Sequence, residues 1–424
     1  MLTPQKCARR NTAFKFGVTT SQSKAIILPM AYDSVDKMQT ALADGVFSYA
    51  KDRKKAAGRC LGTFVEIITF YLLKSWGVAP SVGIERGLAE YQNPAITHNV
   101  EYSLHPVAGI DRLEINECGL PLTTSKIFRQ FGKEHHLHTF EQTSRTLLTK
   151  EKILRNSCVI GETDNQLLVG LVSMLEGKGQ KELHDLEHGG TIASLELDLV
   201  TQYRQPYAMF ECKRVGVEDG MKKGPQTIEK AKQGAYVART VSSMQRIRTH
   251  SGAMHGVLPK KDGTFYTKPY ELLMEEIIAS NDPELLRHFI LTVGVVSNHG
   301  NWFSKDNMNK ELVVLAQSYD WLLFLTDEGL AEFIYDIVLS KKAEVLAAKK
   351  AFHSSYSADK TKNSFTKVQM ALAADKVLQD YFRANSKRIE SWFNIITPVK
   401  QPMATLRKQI NTLSKKNWSE VFEA

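Results

Sequence analysis

A glutamate and a lysine two positions apart are the residues of this chain best suited to catalysis. Glu211 and Lys213 end the apolar run that begins at Tyr207, and their spacing places both side chains on one face of a strand. An earlier run, 192–200, alternates apolar with polar residues and carries Asp198 near its end. A hairpin between the two runs would place Asp198 opposite Glu211, with Cβ atoms about 4.5–5.5 Å apart. Two carboxylates at that distance repel each other unless a proton or a cation lies between them.

This trio of side chains suits the hydrolysis of a phosphodiester, which needs an activated water and relief of the charge on the phosphate. Carboxylate oxygens from Asp198 and Glu211 are the ligands that a hard ion such as Mg²⁺ prefers. The ion would act as a Lewis acid and activate water, while Lys213 would orient the water and offset phosphate charge. The alternative is a surface hairpin in which Lys213 forms a cross-strand salt bridge with Asp198.

The pattern resembles that of the PD-(D/E)XK nuclease superfamily, in which an acid at the end of one strand precedes (D/E)-x-K on the next. The resemblance implies an α/β fold with a mixed sheet flanked by helices, here with helical additions at both ends of the chain. It also implies that Asp198, Glu211 and the main-chain carbonyl of Cys212 bind Mg²⁺ and that Lys213 positions the water. Leu197 stands in place of the proline of the family pattern, a substitution that removes no ligand.

The elements that follow match the order of the family's core, which continues with a helix and a further strand. A helical run over 226–247 precedes the apolar stretch 289–296, which predicts a buried strand. Gln233 and Tyr236 on this helix fit a Q-x-x-Y signature of some branches of the superfamily. Side chains on a partly buried helix explain the pair equally well.

Three basic residues near the start of this helix are the expected DNA contacts. Arg214 follows the Glu-x-Lys pair directly, and Lys222 and Lys223 precede the helix. Free amides and the positive end of the helix dipole would attract a phosphate at this point.

Members of the superfamily usually carry a further glutamate on a helix before the two strands. Glu66 is the best candidate, because it is the only acid in the apolar helical run 58–73 and a buried carboxylate needs a partner. Pairing with Arg59 or exposure to solvent are the alternatives. Three other acids are rival candidates for the same role: Glu162, Glu187 and Glu196.

The composition is ordinary for a globular protein, with 24% charged and 43% hydrophobic residues among 424. No apolar run approaches the roughly 20 residues of a membrane helix, and no signal peptide is visible, so no membrane partner is expected. Five cysteines without paired metal spacing predict a reducing, cytoplasmic location. The absence of a G-x-x-x-x-G-K-[ST] motif argues against an ATP-driven translocase.

The net charge of +9 is concentrated at one end of the chain. Residues 341–424 hold 16 Lys/Arg against 7 Asp/Glu, which accounts for the whole net charge. A basic surface beside a nuclease core predicts phosphate contacts with DNA and binding that weakens steeply with salt. A solvated set of helices is the alternative.

The chain divides into three parts on these patterns. Residues 1–56 form a helical N-terminal segment, and 57–330 form the nuclease core. Insertions at about 78–188 and 248–285 interrupt the core and are expected to recognise DNA. Residues 331–424 form a basic, helical C-terminal region.

The predicted function is that of a type II restriction endonuclease, which cleaves double-stranded DNA at a specific sequence in the presence of Mg²⁺. Such enzymes often act as symmetric homodimers on palindromic sites, and the sequence itself does not establish a dimer. One alternative is a repair or recombination nuclease of the same superfamily, which would prefer branched, damaged or free-ended DNA. The other is a non-catalytic DNA-binding protein in which Glu211 and Lys213 form only a salt bridge.

Overall fold

The structure is a computed structural model that describes residues 35–132, 137–175, 179, 182–183, 190–214, 231–297, 310–356 and 363–423. Its α-helices, in chain order, are α1 (Val35–Gly45), α2 (Arg53–Ser75), α3 (Thr124–Phe131), α4 (Gln233–Val241), α5 (Tyr270–Ala279), α6 (Pro283–Arg287), α7 (Lys310–Ala316), α8 (Asp327–Phe333), α9 (Leu346–Tyr356), α10 (Leu372–Ala384), α11 (Ser386–Glu390), α12 (Met403–Leu413) and α13 (Trp418–Phe422). Single turns of other helix types lie at Ala79–Ser81, Leu137–Thr139, Ile334–Leu339 and Ala343–Val345.

The β-strands, in chain order, are β1 (Val82–Ile84), β2 (Gly87–Glu90), β3 (Asn93–Asn99), β4 (Tyr102–Leu104), β5 (Val107–Gly119), β6 (Leu122–Thr123), β7 (Phe140–Gln142), β8 (Thr146–Leu148), β9 (Ile153–Arg155), β10 (Cys158–Thr163), β11 (Leu168–Met174), β12 (Thr191–Tyr203), β13 (Ala208–Arg214), β14 (Gln245–Arg248), β15 (Met254–Pro259), β16 (Phe265–Pro269), β17 (Leu291–Ser297), β18 (Trp321–Leu325), β19 (Gln369–Ala371) and β20 (Phe393–Thr397).

A six-stranded mixed sheet forms the centre of the protein, with the strand order β1-β4-β13-β17-β18-β20. β13, β17 and β18 run parallel, whereas β4 pairs antiparallel with β13, and β20 pairs antiparallel with β18. All seven residues of β17 are buried, as expected for a central strand with helices on both faces. The mixed α/β architecture and the buried strand predicted at 289–296 are therefore confirmed.

Helices cover both faces of this sheet. On one face α2 packs its buried stripe, which includes Leu61 and Ile68, against residues such as Phe210 of β13. On the other face α4 and α7 contribute Ala235 and Leu312 to a separate cluster with β17 and β18. Because strand side chains alternate between the faces, Glu211 points toward the α4 side.

Helix α2 has clear start and stop signals. The Asp52 carboxylate caps its first turn by accepting a hydrogen bond from the Lys55 amide at 3.0 Å. After the helix the chain turns at Gly77, whose φ of 80° suits glycine. Within the described part of the chain, α2 alone has the length and composition of a membrane span, and 72% of its most apolar stretch is buried inside the protein. Such burial is typical of a core helix.

The segment between β4 and β13 builds two further sheets. The larger is antiparallel, with the order β5-β12-β11-β10-β7, and has its own buried core that includes Leu113 and Leu197. The smaller joins β6, β8 and β9 to β19 of the C-terminal region. The predicted bounds of the first insertion, 78–188, are therefore wrong at both ends: β1 and β4 belong to the central sheet, and the inserted segment extends through β12.

The remaining predicted segments need smaller corrections. The helix expected over 226–247 ends at Val241, and 245–248 instead forms a strand of the three-stranded sheet β14-β15-β16 within the second predicted insertion. The C-terminal region 331–424 is not purely helical, because β20 completes the central sheet. Some of its cations pair with carboxylates, including Arg388 with Glu332 at 2.7 Å.

Candidate active site

The predicted hairpin between the strands of Asp198 and Glu211 is wrong. β12 pairs with β5 and β11 in the five-stranded sheet, where Asp198 lies opposite Arg112 and Ser173. β13 pairs with β4 and β17 in the central sheet. Both edges of β12 are thus occupied by strands of the insertion, so no edge remains for β13. The Asp198 carboxylate instead lies 3.6 Å from Nε of Arg112.

The acid that lies beside Glu211 is Glu101, directly before β4. The antiparallel register pairs Phe210 with Tyr102, and one further step places Glu101 opposite Glu211. The main-chain amide of Glu101 donates to Oε2 of Glu211 at 3.2 Å. Both residues are buried, with Glu211 4% and Glu101 9% exposed. Analysis of the sequence missed Glu101, although an acid directly before the short apolar run 102–104 is a signal of the right kind.

Lys213 completes the predicted pair on β13. Its Nζ lies 2.5 Å from Oε1 of Glu211, which confirms that the two side chains share one face. Between them, Cys212 points the opposite way and donates its thiol to Oγ1 of Thr69 on α2, 3.4 Å away. The Cys212 side chain is therefore part of the core.

Glu66 also reaches this end of the sheet. Its Oε2 lies 3.4 Å from Nζ of Lys367, a lysine of the C-terminal region, and not beside Arg59. The Tyr102 hydroxyl donates to the main-chain carbonyl of Glu66 at 2.7 Å, which ties α2 to β4. Glu85, one residue after β1, contributes a further carboxylate, whose Oε1 is 2.7 Å from the same Nζ.

Helix α4 closes over Glu211 from the other side. A Cβ added at Gly234 would lie 2.4 Å from the Cβ of Glu211, so only glycine allows the helix this close to the strand. The Tyr319 hydroxyl donates to the carbonyl of Ala231 at 2.7 Å and anchors the segment that leads into the helix. The first turn of α4 is thereby held against Glu211. We refer to Glu66, Glu85, Glu101 and Glu211 together as the carboxylate cluster.

Burial raises the pKa of the Glu211 carboxyl above its ordinary value of 4.5, against the opposing effect of the adjacent Lys213 ammonium. The pKa of Glu66 is raised for the same reason, and Lys367 again opposes the shift. The negative charge of Glu85 adds to the rise at Glu66. Protons therefore compete for these carboxylates at higher pH than they do for an exposed glutamate.

We expect divalent-ion binding by this cluster to weaken on acidification while the pH is still above 4.5, the ordinary glutamate value. An ion needs ionised carboxylates, whereas the raised pKa values favour the protonated forms. In the ion-free protein, the part of the folding stability that comes from protonated Glu66 and Glu211 is lost as the pH rises through their raised pKa values. The stabilisation of the fold by bound Mn²⁺ should therefore increase as the pH rises. Calorimetric Mn²⁺ titrations from about pH 4 to about pH 8 would measure this. A binding midpoint at or below pH 4.5 would contradict it.

The rival acids lie elsewhere or outside the described residues. The carboxylate of Glu162 pairs with Arg204 at 3.1 Å, and Glu196 lies opposite Glu114 within the five-stranded sheet. Three predicted site or contact residues lie outside the described part of the chain: Glu187, Lys222 and Lys223. Neither Glu162 nor Glu196 belongs to the strands that carry Glu101 and Glu211.

Arg214, an expected DNA contact, is bonded within the protein. Its guanidinium donates to Oε1 of Gln39 at 2.5 Å and to the carbonyl of Gly58 at 3.4 Å. These bonds join the end of β13 to α1 and α2. The contacts give Arg214 a structural role at the edge of the site.

The donor atoms of the cluster suit a hard divalent cation. Glu66, Glu101 and Glu211 offer carboxylate oxygens, which Mg²⁺ and Mn²⁺ prefer to the sulfur and imidazole ligands of zinc. Each of these carboxylates lies against a lysine ammonium. Over the residues that the structure describes, no three His, Cys, Asp or Glu side chains are arranged as a metal-binding group. The carboxylate oxygens are therefore of the type that Mg²⁺ prefers. In this structure the lysine ammonium groups are the partners of these carboxylates.

An open groove of about 790 Å³ runs along α4. Four basic residues line it and no acidic residue does: Lys232, Arg239, Arg246 and Arg248. Tyr236, the second member of the predicted Q-x-x-Y pair, also lines the groove and is 62% exposed. A positively charged channel with an exposed aromatic ring is typical of surfaces that bind nucleic acid.

The cluster combines two adjacent buried acids, a lysine on the same strand and a further acid on a neighbouring helix. Such an arrangement can hold a cation, polarise a water and neutralise an anionic substrate. Comparison of the chain with protein-family models, with curated proteins and with solved structures found no match. These comparisons place the chain in no family.

Proposed function

We propose that this protein is a Mg²⁺-dependent endonuclease of the PD-(D/E)XK type that cleaves double-stranded DNA, acting as a type II restriction endonuclease. One observation carries the proposal: Glu101 and Glu211 are adjacent on neighbouring strands, and Lys213 lies on the same face. Asp198, which the sequence suggested for the first acid, is replaced in this role by Glu101.

The order of elements supports the proposal. The chain runs from α2 with Glu66, through β1 and β4 with Glu101, to β13 with Glu211 and Lys213, and then to α4 and β17. This is the family's order of helix, acid-bearing strands, helix and strand, with the insertion placed between β4 and β13. Val100 takes the place of the proline of the family pattern, and a glutamate takes the place of aspartate; neither change removes an oxygen ligand.

In the proposed reaction the chain's own groups divide the work. Glu101 and Glu211, with the main-chain carbonyl of Cys212, would hold the ion, which when bound supplies Lewis-acid stabilisation and a more acidic water. Lys213 would orient the attacking water by hydrogen bonding and offset charge on the phosphate. The Glu211 carboxylate holds the Lys213 ammonium in position, and the α4 turn at Gly234 packs directly against Glu211.

The cellular setting belongs to the same proposal. The four cysteines that the structure describes are free and buried: Cys60, Cys118, Cys158 and Cys212. Free cysteines are typical of a reducing cytoplasm, where a restriction enzyme would meet incoming DNA. A symmetric homodimer would match a palindromic recognition site.

The decisive experiment is incubation of the purified protein with unmethylated plasmid and phage DNA, with Mg²⁺ or with EDTA. Discrete and reproducible fragments that require Mg²⁺ are the expected result, and sequencing of their ends would give the recognition site. A Mg²⁺-dependent smear would replace sequence-specific restriction by a nonspecific or repair nuclease. Intact DNA on all substrates, with protein shown to be folded, would refute the catalytic proposal and leave a binding protein.

The basic groove should determine the affinity for DNA. Replacing Arg239 and Arg248 together by alanine is expected to lower DNA affinity in EDTA at least about tenfold and to reduce the slope of log K against log[salt] by about two. The matched control is the double alanine variant of Arg53 and Lys55, which removes the same charge from exposed positions at the start of α2, outside the groove. Fluorescence anisotropy over a salt series measures both quantities. Equal losses in the two double variants would mean that net charge alone governs binding.

A further inference from the structure

Lys367 places a second ammonium group inside the carboxylate cluster. Its side chain is 6% exposed, and the residue comes from the C-terminal region, about 300 positions away from Glu66 in the sequence. Its Nζ lies 2.7 Å from Oε1 of Glu85 and 3.4 Å from Oε2 of Glu66, and it also contacts Oε1 of Glu101. Three carboxylates from three separate elements therefore converge on one side-chain cation.

The loop that carries Lys367 is anchored from the insertion. The Asn156 side chain donates to the carbonyl of Lys367 at 2.9 Å, and the Asn156 amide donates to the carbonyl of Val368 at the same distance. A tight turn closes the loop, with the Thr366 amide donating to the carbonyl of Gln369 at 2.8 Å. Because both hydrogen bonds from Asn156 hold the main chain, the ammonium is fixed at the site by the fold.

One divalent ion would balance the formal charges of the fully ionised cluster. When ionised, Glu66, Glu85, Glu101 and Glu211 carry four negative charges, and Lys213 and Lys367 carry two positive charges. Two negative charges remain, which one divalent ion neutralises. A second divalent ion would leave a net positive charge beside the buried Glu101 and Glu211, which is costly away from bulk water.

We infer that the Lys367 ammonium takes the position that a second metal ion occupies in two-metal nucleases. The protein therefore binds one divalent ion per chain. Many phosphodiester-cleaving enzymes clamp the scissile phosphate between two metal ions. Here the ammonium contacts Glu66, Glu85 and Glu101 and so occupies the space between three carboxylates that a second ion would need. The inference rests on the proposed metal-dependent function, and the number of bound ions tests it separately from cleavage.

The test is a Mn²⁺ titration of the full chain, with free Mn²⁺ counted by electron paramagnetic resonance, for wild type and Lys367→Met. Methionine keeps much of the length of the side chain and removes its charge. One ion per chain is expected for the wild type and two for Lys367→Met, together with a steeper Mg²⁺ dependence of cleavage. The control is Lys376→Met, a lysine of the same region that pairs with Asp380 and lies outside the cluster; it should bind one ion.

Two results would overturn the inference. Two ions bound to the wild type would show that the ammonium does not replace a metal. One ion bound to Lys367→Met with about tenfold higher affinity (about 1.4 kcal/mol) would show that the lysine only competes for the first ion. If circular dichroism shows that Lys367→Met is unfolded, the wild-type stoichiometry still decides. A wild type that binds one Mn²⁺ but cleaves no DNA would refute the nuclease proposal and leave the ion count standing.

Discussion

Replacing Lys213 by methionine is expected to lower the rate of Mg²⁺-dependent DNA cleavage by roughly 10²–10⁴-fold. Lys213 is the basic side chain nearest Glu211, with Nζ 2.5 Å from its carboxylate, and is 30% exposed, so a phosphate can reach it. Methionine removes the donor and the charge but keeps the apolar stem. DNA affinity in EDTA should change by no more than a few fold, because the basic groove along α4 provides most of the phosphate contacts. Single-turnover cleavage of a plasmid measures the effect.

Lys268→Met is the matched control for this variant. Lys268 forms an ion pair of the same length with Glu276, 2.5 Å, on β16 and α5, away from the cluster. At saturating DNA concentration it should cleave DNA at close to the wild-type rate, because Lys268 lies away from the carboxylate cluster. If Lys213→Met also cleaves DNA normally but melts at lower temperature, then the pair of Lys213 and Glu211 is only a salt bridge, and the non-catalytic alternative gains the advantage.

Local pattern was sufficient to identify part of this site. The two-residue period of a strand placed Glu211 and Lys213 on one face, and the apolar stripe of the helix around Glu66 predicted a buried core helix. Both predictions depend on residues close together in sequence. The apolar runs that became β17 and β18 are likewise local features, and they define the centre of the sheet.

Long-range pairing could not be predicted in the same way. Alternation over 192–200 indicates a strand but not its neighbours, and a turn-like segment before Tyr207 suggested a hairpin where the chain in fact passes from one sheet to another. β4 has only three residues, so its period carries little information. Lys367 reaches the cluster from the far end of the chain through a loop held by Asn156. No pattern among neighbouring residues in the sequence predicts that contact.

The exchange of Glu101 for Asp198 has a direct experimental consequence. Glu101→Gln is expected to lower cleavage by roughly 10²–10⁴-fold and to weaken Mn²⁺ binding at least about tenfold, because glutamine keeps the shape but not the charge. Asp198→Asn should retain cleavage within about twofold, since Asp198 pairs with Arg112 in the five-stranded sheet and lies outside the cluster. Cleavage rates and Mn²⁺ titrations of both variants measure the difference.

The Glu101→Gln and Asp198→Asn variants distinguish the two candidate metal ligands. An arrangement with Glu101 as the ligand and one with Asp198 as the ligand predict opposite effects on cleavage. If Asp198 were a metal ligand, its carboxylate would have to leave the five-stranded sheet, where β5 and β11 bond both edges of its strand. Breaking those ladders would expose a buried core that includes Leu195 and Leu197, a cost far greater than one ion-ligand bond returns. Loss of cleavage in Asp198→Asn with normal activity in Glu101→Gln would nevertheless establish that arrangement. The observed pairing of β4 with β13 favours the reverse result, with Glu101 as the essential acid.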